Sequence, residues 1–177
     1  MDELFDTFDA QGNPRGLVAR PRVHSLGLWH KSAHVFLFDT STNLYVQLRT
    51  LDKDLYPDLW DYSVGEHLQP GESFHAAALR GLREELGVED VALQSVGGVR
   101  ASSLDIVALE LHDHELQQAF RGVYDGPIHP DPIEVAEVRS TPMAKLEAWI
   151  GNSPGSFTPW FLRDLRELGF LPGLSIP

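Results

Sequence analysis

The chain has 177 residues, 42% of them hydrophobic, enough for a single domain that buries most of its apolar surface. Twenty-six acidic residues against 14 Lys and Arg give a net charge of −12 with no basic run, which argues against a nucleic-acid partner. With no cysteine, disulfides, thiolate metal sites and cysteine nucleophiles are excluded, and with an acidic start and no stretch of eighteen apolar residues a soluble, cytoplasmic protein without a membrane partner is expected.

Residues 1–31, broken by Gly12, Pro14, Gly16, Pro21 and Gly27, predict a hairpin and loop extension leading into the core. SAHVFLFDT and LYVQLRT, separated by a short turn at Ser41–Asn43, predict neighbouring strands over 33–39 and 44–49. LDKDLYPDLWDYS, with Pro57 and several aspartates, predicts a loop that re-enters the sheet near Trp60–Val64. From Ser73 to Leu86 the apolar residues Phe74, Ala77, Ala78, Leu82 and Leu86 recur at helical spacing, with Ser73 placed as N-cap and Gly87 as terminator. Strand-like lengths follow at 89–101, 105–111, 115–124 and 134–140, and PMAKLEAWI and PWFLRDLREL have helical spacing. The pattern predicts an α/β fold, a mixed sheet covered by helices.

The chemistry concentrates in GEHLQPGESFHAAALRGLREELGV, residues 65–88. On the predicted helix Glu84 and Glu85 project from neighbouring points of the face opposite the apolar stripe. Such a pair is ordinarily a solvated face, but a hard dication between the two carboxylates would turn repulsion into ligation, and Mg²⁺ or Mn²⁺ takes carboxylate oxygens together with substrate phosphate. Glu66 and His67 follow a strand end where they could face the same ion, and Glu72 sits near the positive helix N-terminus. Arg80, one turn before Glu84, could pair with Glu72 or reach a phosphate. Asp113, His114 and Glu115 form a later polar cluster at the start of a strand-like run.

This stretch resembles the signature of the Nudix hydrolases: Gly, five residues, Glu, seven residues, Arg-Glu-apolar, one residue, Glu-Glu, one residue, Gly-apolar. Glu72, Arg80, Leu82, Glu84, Glu85, Gly87 and Val88 occupy seven of its nine fixed positions. At the other two the residues have changed places, Glu66 standing for the first glycine and Gly81 for the helix glutamate. Since that glutamate is commonly a metal ligand in the family, its role passes to no side chain at 81; Glu66 is the expected replacement, with Gly81 leaving space beneath it.

The order of GLVARPRVHSLGLWHKSAHVFLFD, LYPDLWDYSVGEH and the late FTPWF is similar to the isopentenyl-diphosphate isomerase branch, over residues 16 to 163. That resemblance implies a metal held by His24, His30, His67, Asp113 or its neighbourhood, and Glu115. It also requires a cysteine where this chain has Gly65, so protonation of a hydrocarbon lacks its group. The resemblance therefore implies a Nudix-type α/β/α sandwich with a loop-helix-loop motif, hydrolysing the pyrophosphate linkage of a small-molecule diphosphate, in first place a nucleoside di- or triphosphate, with Mg²⁺ or Mn²⁺ as cofactor. Glu84, Glu85, Arg80, Glu72 and Glu115 are the expected catalytic residues, and Glu84, Glu85, Glu66, His67 and Glu115 the expected ligands. An isomerase-like enzyme, or a binding module disabled by the Glu/Gly exchange, are the alternatives. Trp29, Phe36, Tyr56, Trp60 and Tyr62 could stack on a base, but most are expected in the core.

Overall fold

The computed structural model describes residues 3–106 and 111–174. In chain order these form β1 (Leu4–Phe8), β2 (Pro14–Ala19), α1 (Arg20–Leu26), β3 (His30–Phe38), β4 (Asn43–Arg49), β5 (Trp60–Asp61), β6 (Val64–His67), α2 (Phe74–Leu86), β7 (Leu93–Ile106), β8 (Leu111–Val123), β9 (Val135–Pro142), α3 (Met143–Asn152) and α4 (Pro159–Glu167). A seven-stranded mixed sheet carries the order β5-β4-β3-β8-β7, with β6 added to β3 and β9 to β4. Only β3 and β8 run parallel. Part of the predicted 105–111 strand lies outside the described residues; its flanks belong to the ends of β7 and β8.

The strands predicted as neighbours, β3 and β4, pair only at Phe38 and Leu44 and then diverge. Into the opening come β6, which takes up the edge of β3 from Ser32 to Val35, and β5, which pairs with Gln47 and Leu48 of β4. The sheet thus forks, and the mouth of the fork is where chemistry can be placed.

The two faces of β3 explain the layers. Ala33, Val35 and Leu37 pack with Val64 and with Ala77, Ala78, Leu82 and Leu86 of α2. Phe36 and Phe38 pack on the opposite side with Leu146 and Ile150 of α3 and Phe161, Leu162 and Leu165 of α4. Period-2 alternation sends His30, Ser32 and His34 to the same side as Phe36, so that one face is core at one end and polar floor at the other. The parallel register sets Glu115 beside His30 and Gln117 beside Ser32, extending that floor across β8.

Helix α2 begins and ends as its sequence dictates: Ser73 Oγ accepts from Ala76 N at 3.2 Å, and Gly87 adopts φ +65° at the C-cap. Within the predicted loop extension a helix appears, α1. Pro21 lies in its first turn and Gly27 caps it in the left-handed region, so the two residues that read as breakers are its start and stop signals. No helix among the described residues is long and apolar enough to cross a membrane.

Candidate active site

A cavity of about 560 Å³ opens at the mouth of the fork. Two groups of side chains face it, one built on the floor of β3 and β8, the other on α2 and β6.

The floor group is His24 from α1, His30 from β3, His67 from β6, and Asp113 and Glu115 from β8. His67 Nε2 lies 3.2 Å from Glu115 Oε1, His30 Nε2 is 3.5 Å from Asp113 Oδ1 and 3.8 Å from Glu115 Oε1, and His24 Nε2 is 3.9 Å from Asp113 Oδ1. The β1–β2 hairpin seals this group from one side: Phe5 stacks on His30 with ring centroids 5.2 Å apart and leans on His67 at 4.8 Å. Burial, reinforced by the His67 charge, lowers His24 to about 4 and His30 to about 3, so both imidazoles are neutral at physiological pH. Burial and then the Glu115 charge raise Asp113. Burial alone would raise Glu115 as well, but the hydrogen bond and charge of His67 outweigh it and hold the carboxyl well below the usual range. His24 Nε2, His30 Nε2 and Asp113 Oδ1 are buried without a hydrogen-bond partner. Orphaned lone pairs on neutral imidazoles beside carboxylates suit a divalent ion, so these residues fit the metal that the isomerase resemblance implied.

The α2 group contains the exchanged pair. A Cβ built on Gly81 would stand 2.6 Å from Val64 Cγ1, 3.1 Å from Glu66 Cβ and 3.3 Å from Glu66 Oε2. The carboxylate of Glu66 therefore occupies the space over the glycine that a helix glutamate would need. Arg80 ties the motif together. Its Nε and Nη2 donate to the two oxygens of Glu72 at 3.0 and 2.9 Å, Nη2 also donates to the carbonyl of His67 at 2.8 Å, and Nη1 reaches Glu66 at 3.1 Å and Glu84 at 3.2 Å. The sequence left Arg80 a choice between Glu72 and phosphate; its guanidinium is spent on the loop and the acids. That engagement keeps Glu72 below the usual carboxylate range although burial opposes it.

Contrary to expectation, Glu84 and Glu85 do not both project from the face opposite the apolar stripe. Glu84 is exposed, whereas Glu85 is only 6% exposed and accepts from Gln47 Nε2 of β4 at 3.0 Å. Burial, with the Glu66 charge next, pushes Glu85 up to about 8 against the pull of Lys53 and Gln47. The opposite-face expectation failed because the diverging β4 crosses over that side of α2, a contact 38 residues away that helical periodicity does not encode.

Several cavity residues escaped the sequence reading. Lys53 and Arg49 supply positive charge to an acidic wall, Lys53 pairing with Glu134 and Arg49 with Asp61. Tyr62 fills the place beside Gly65: a Cβ there would lie 2.4 Å from Tyr62 Cε2 and 2.9 Å from its hydroxyl. Behind the floor, His34 Nδ1 bonds Asp164 Oδ2 of α4 at 2.8 Å and its Nε2 faces Ser32 Oγ at 3.2 Å. Phe36, Trp60 and Tyr62 are core residues, as expected of most aromatics, and His75 lies on α2 outside the cavity against Phe120.

The NUDIX domain family profile matches residues 28–161, which spans α2 and the β3–β9 sheet. The chain belongs to the Nudix family. Among Nudix relatives it is 34% identical over 169 residues to the isopentenyl-diphosphate Delta-isomerase of Serratia proteamaculans, covering 96% of this chain and 93% of that one. It is 38% identical over 95 residues to an uncharacterized Nudix hydrolase of Pseudomonas aeruginosa, covering 54% of this chain and 56% of that one. In fold it is similar to the Deinococcus radiodurans protein DR0079, with a TM-score of 0.67 and 22% identity over 85% of this chain and 90% of that one. The Nudix α/β/α sandwich expected from the motif is the observed architecture.

Gly65→Cys tests how this Nudix site departs from those isomerases. Because Tyr62 already fills the space, the substitution is expected to destabilise the protein by about 1–3 kcal/mol, measured by denaturant unfolding, and to confer no isomerisation of isopentenyl diphosphate.

Proposed function

We propose that the chain hydrolyses a pyrophosphate linkage in a nucleoside di- or triphosphate, using Mg²⁺ or Mn²⁺ and releasing a nucleotide monophosphate-type product. The observation that carries the proposal is the carboxylate of Glu66, on strand β6, standing over Gly81, which supplies from the neighbouring strand the acid that the helix lacks. Glu66, Glu84 and Glu85 would hold the ion or ions on the α2 side, and His67 and Glu115, together with His24, His30 and Asp113, would be ligands on the floor side. A bound dication supplies neutralisation of phosphoryl oxygens and a lowered pKa for attacking water. Arg80 acts by position, clamping Glu72 and the carbonyl of His67 so that the end of β6 bearing Glu66 keeps its geometry. Glu115 or Glu85 would take the proton from water, Glu115 being kept ionised by the hydrogen bond and charge of His67. Lys53 and Arg49 offset phosphate charge in a protein whose net charge of −12 would otherwise repel it.

Isomerisation of isopentenyl diphosphate is the second reading, favoured by the histidine–carboxylate floor and by the names of the full-length relatives. Against it stand Gly65, the Tyr62 ring beside it, and the absence of cysteine. A panel of nucleoside diphosphates, nucleoside triphosphates and isopentenyl diphosphate separates the readings. Nucleotide turnover should disappear in excess chelator and return with excess Mg²⁺ or Mn²⁺. Turnover persisting in chelator would overturn metal dependence, and allylic product without nucleotide hydrolysis would reverse the ranking.

A further inference from the structure

Outside the cavity, three metal-binding side chains converge where β7 and β8 approach their common end. Asp105 of β7 is the register partner of His112 on β8, and His114 lies two residues further along the same face. One ligand atom from each residue falls within 4.8 Å of the others. Alternation along β8 turns Asp113 and Glu115 into the cavity and His112 and His114 away from it; neither histidine lines the cavity.

Each ring nitrogen of His114 faces an acceptor, an arrangement that a cation at Nε2 satisfies as a second ring proton would. His114 Nδ1 lies 3.0 Å from the carbonyl oxygen of Gly27, which can only accept, so Nδ1 carries the proton. In the neutral imidazole Nε2 is then a bare lone pair, yet it faces Asp105 Oδ1, a second acceptor, at 3.0 Å. The same carboxylate oxygen lies 2.5 Å from His112 Nδ1. A backbone carbonyl holding the distal nitrogen of a histidine is the arrangement that fixes tautomer and ring direction in metal sites. The surroundings hold it in place: Trp29 packs on the His114 ring at 5.3 Å, and a Cβ at Gly27 would come within 3.1 Å of His112 Cβ and 3.2 Å of His114 Cε1.

We propose that Asp105, His112 and His114 bind a divalent transition ion of the zinc class at a site distinct from the cavity. Two imidazoles and one carboxylate match the preference of Zn²⁺, Co²⁺ or Ni²⁺ rather than of Mg²⁺, and three protein ligands leave room for water to complete the shell. Because Gly27 caps α1, the helix that carries His24, the ion fastens that helix to the strand bearing Asp113 and Glu115.

Equilibrium dialysis of the full chain against Zn²⁺, with Co²⁺ absorption as a second readout, tests the site. Asp105→Asn and His112→Ala, both at partly exposed positions, are expected to lose one bound equivalent, or to bind it at least tenfold more weakly, while circular dichroism is unchanged. His24→Ala should retain that equivalent. Equal stoichiometry and affinity in the wild type and in both Asp105→Asn and His112→Ala would overturn the proposal. So would ring ¹⁵N spectra showing His114 doubly protonated at pH 8 with zinc present, which would make the cluster a plain ion pair.

Discussion

Glu85→Gln is expected to lower kcat for nucleotide hydrolysis by about 10³-fold, the scale seen when one preorganised electrostatic group is removed from a reacting centre. The amide keeps the shape of the side chain, so the metal-free protein should unfold at a similar denaturant concentration; burial already resists the Glu85 charge. Glu66→Gln should produce a loss within tenfold of the same size, with weaker metal affinity. Unchanged turnover and metal affinity in Glu66→Gln, beside an inactive Glu85→Gln, would refute the transfer of the ligand from helix α2 to strand β6. Reversal of the exchange gives a second handle. Gly81→Glu alone forces atoms against Val64 and Glu66 and should destabilise the fold by about 1–3 kcal/mol. Combined with Glu66→Gly, two of those three contacts vanish, and the double variant should be more active and more stable than the sum of its singles.

The largest loss of stability is expected at Asp164, which is fully buried. It holds His34 Nδ1 at 2.8 Å and Arg100 Nη2 at 3.0 Å, and lies 3.5 Å from Arg163 Nε. Burial would raise its carboxyl, but the hydrogen bond and charge of His34, then Arg100 and Arg163, bring it below the usual range. Asp164→Ala leaves His34 without its hydrogen-bond partner and Arg100 without the charge it faces, and breaking a buried charged cluster in this way costs about 3–5 kcal/mol. For a chain of this length that corresponds to roughly 10 °C in Tm by calorimetry. A fall of only a degree or two would show that the cluster is solvated. His34 also stacks on Tyr62 with centroids 4.5 Å apart, so the same variant should perturb the cavity wall.

Local signals were legible and long-range ones were not. Ser73, the apolar stripe and Gly87 bounded α2 because cap, face and terminator all lie within its own turns. β4 was bounded to within a residue for the same reason, its β-branched and apolar content following a short turn. α1 was hidden because seven residues with a proline carry too little periodicity to show a helix. The acids of the motif were singled out by their match to the Nudix signature, not by any fold-level signal. That Glu85 is buried, that Arg80 is committed to Glu72, and that Tyr62 stands in for a side chain at 65 depend on β4, β6 and the 60–65 segment meeting in space. Asp164 meets His34 across 130 residues, and no pattern in the sequence signals that meeting.

The single pairing of Phe38 with Leu44 has a mechanical meaning. β3 and β4 spread from that one pairing, His30 and Ser32 standing on the first and Gln47, which donates to Glu85, on the second. Bulk at the buried Leu44 therefore helps space the floor from α2, and Leu44→Ala is expected to change the ratio of kcat/KM between small and large substrates.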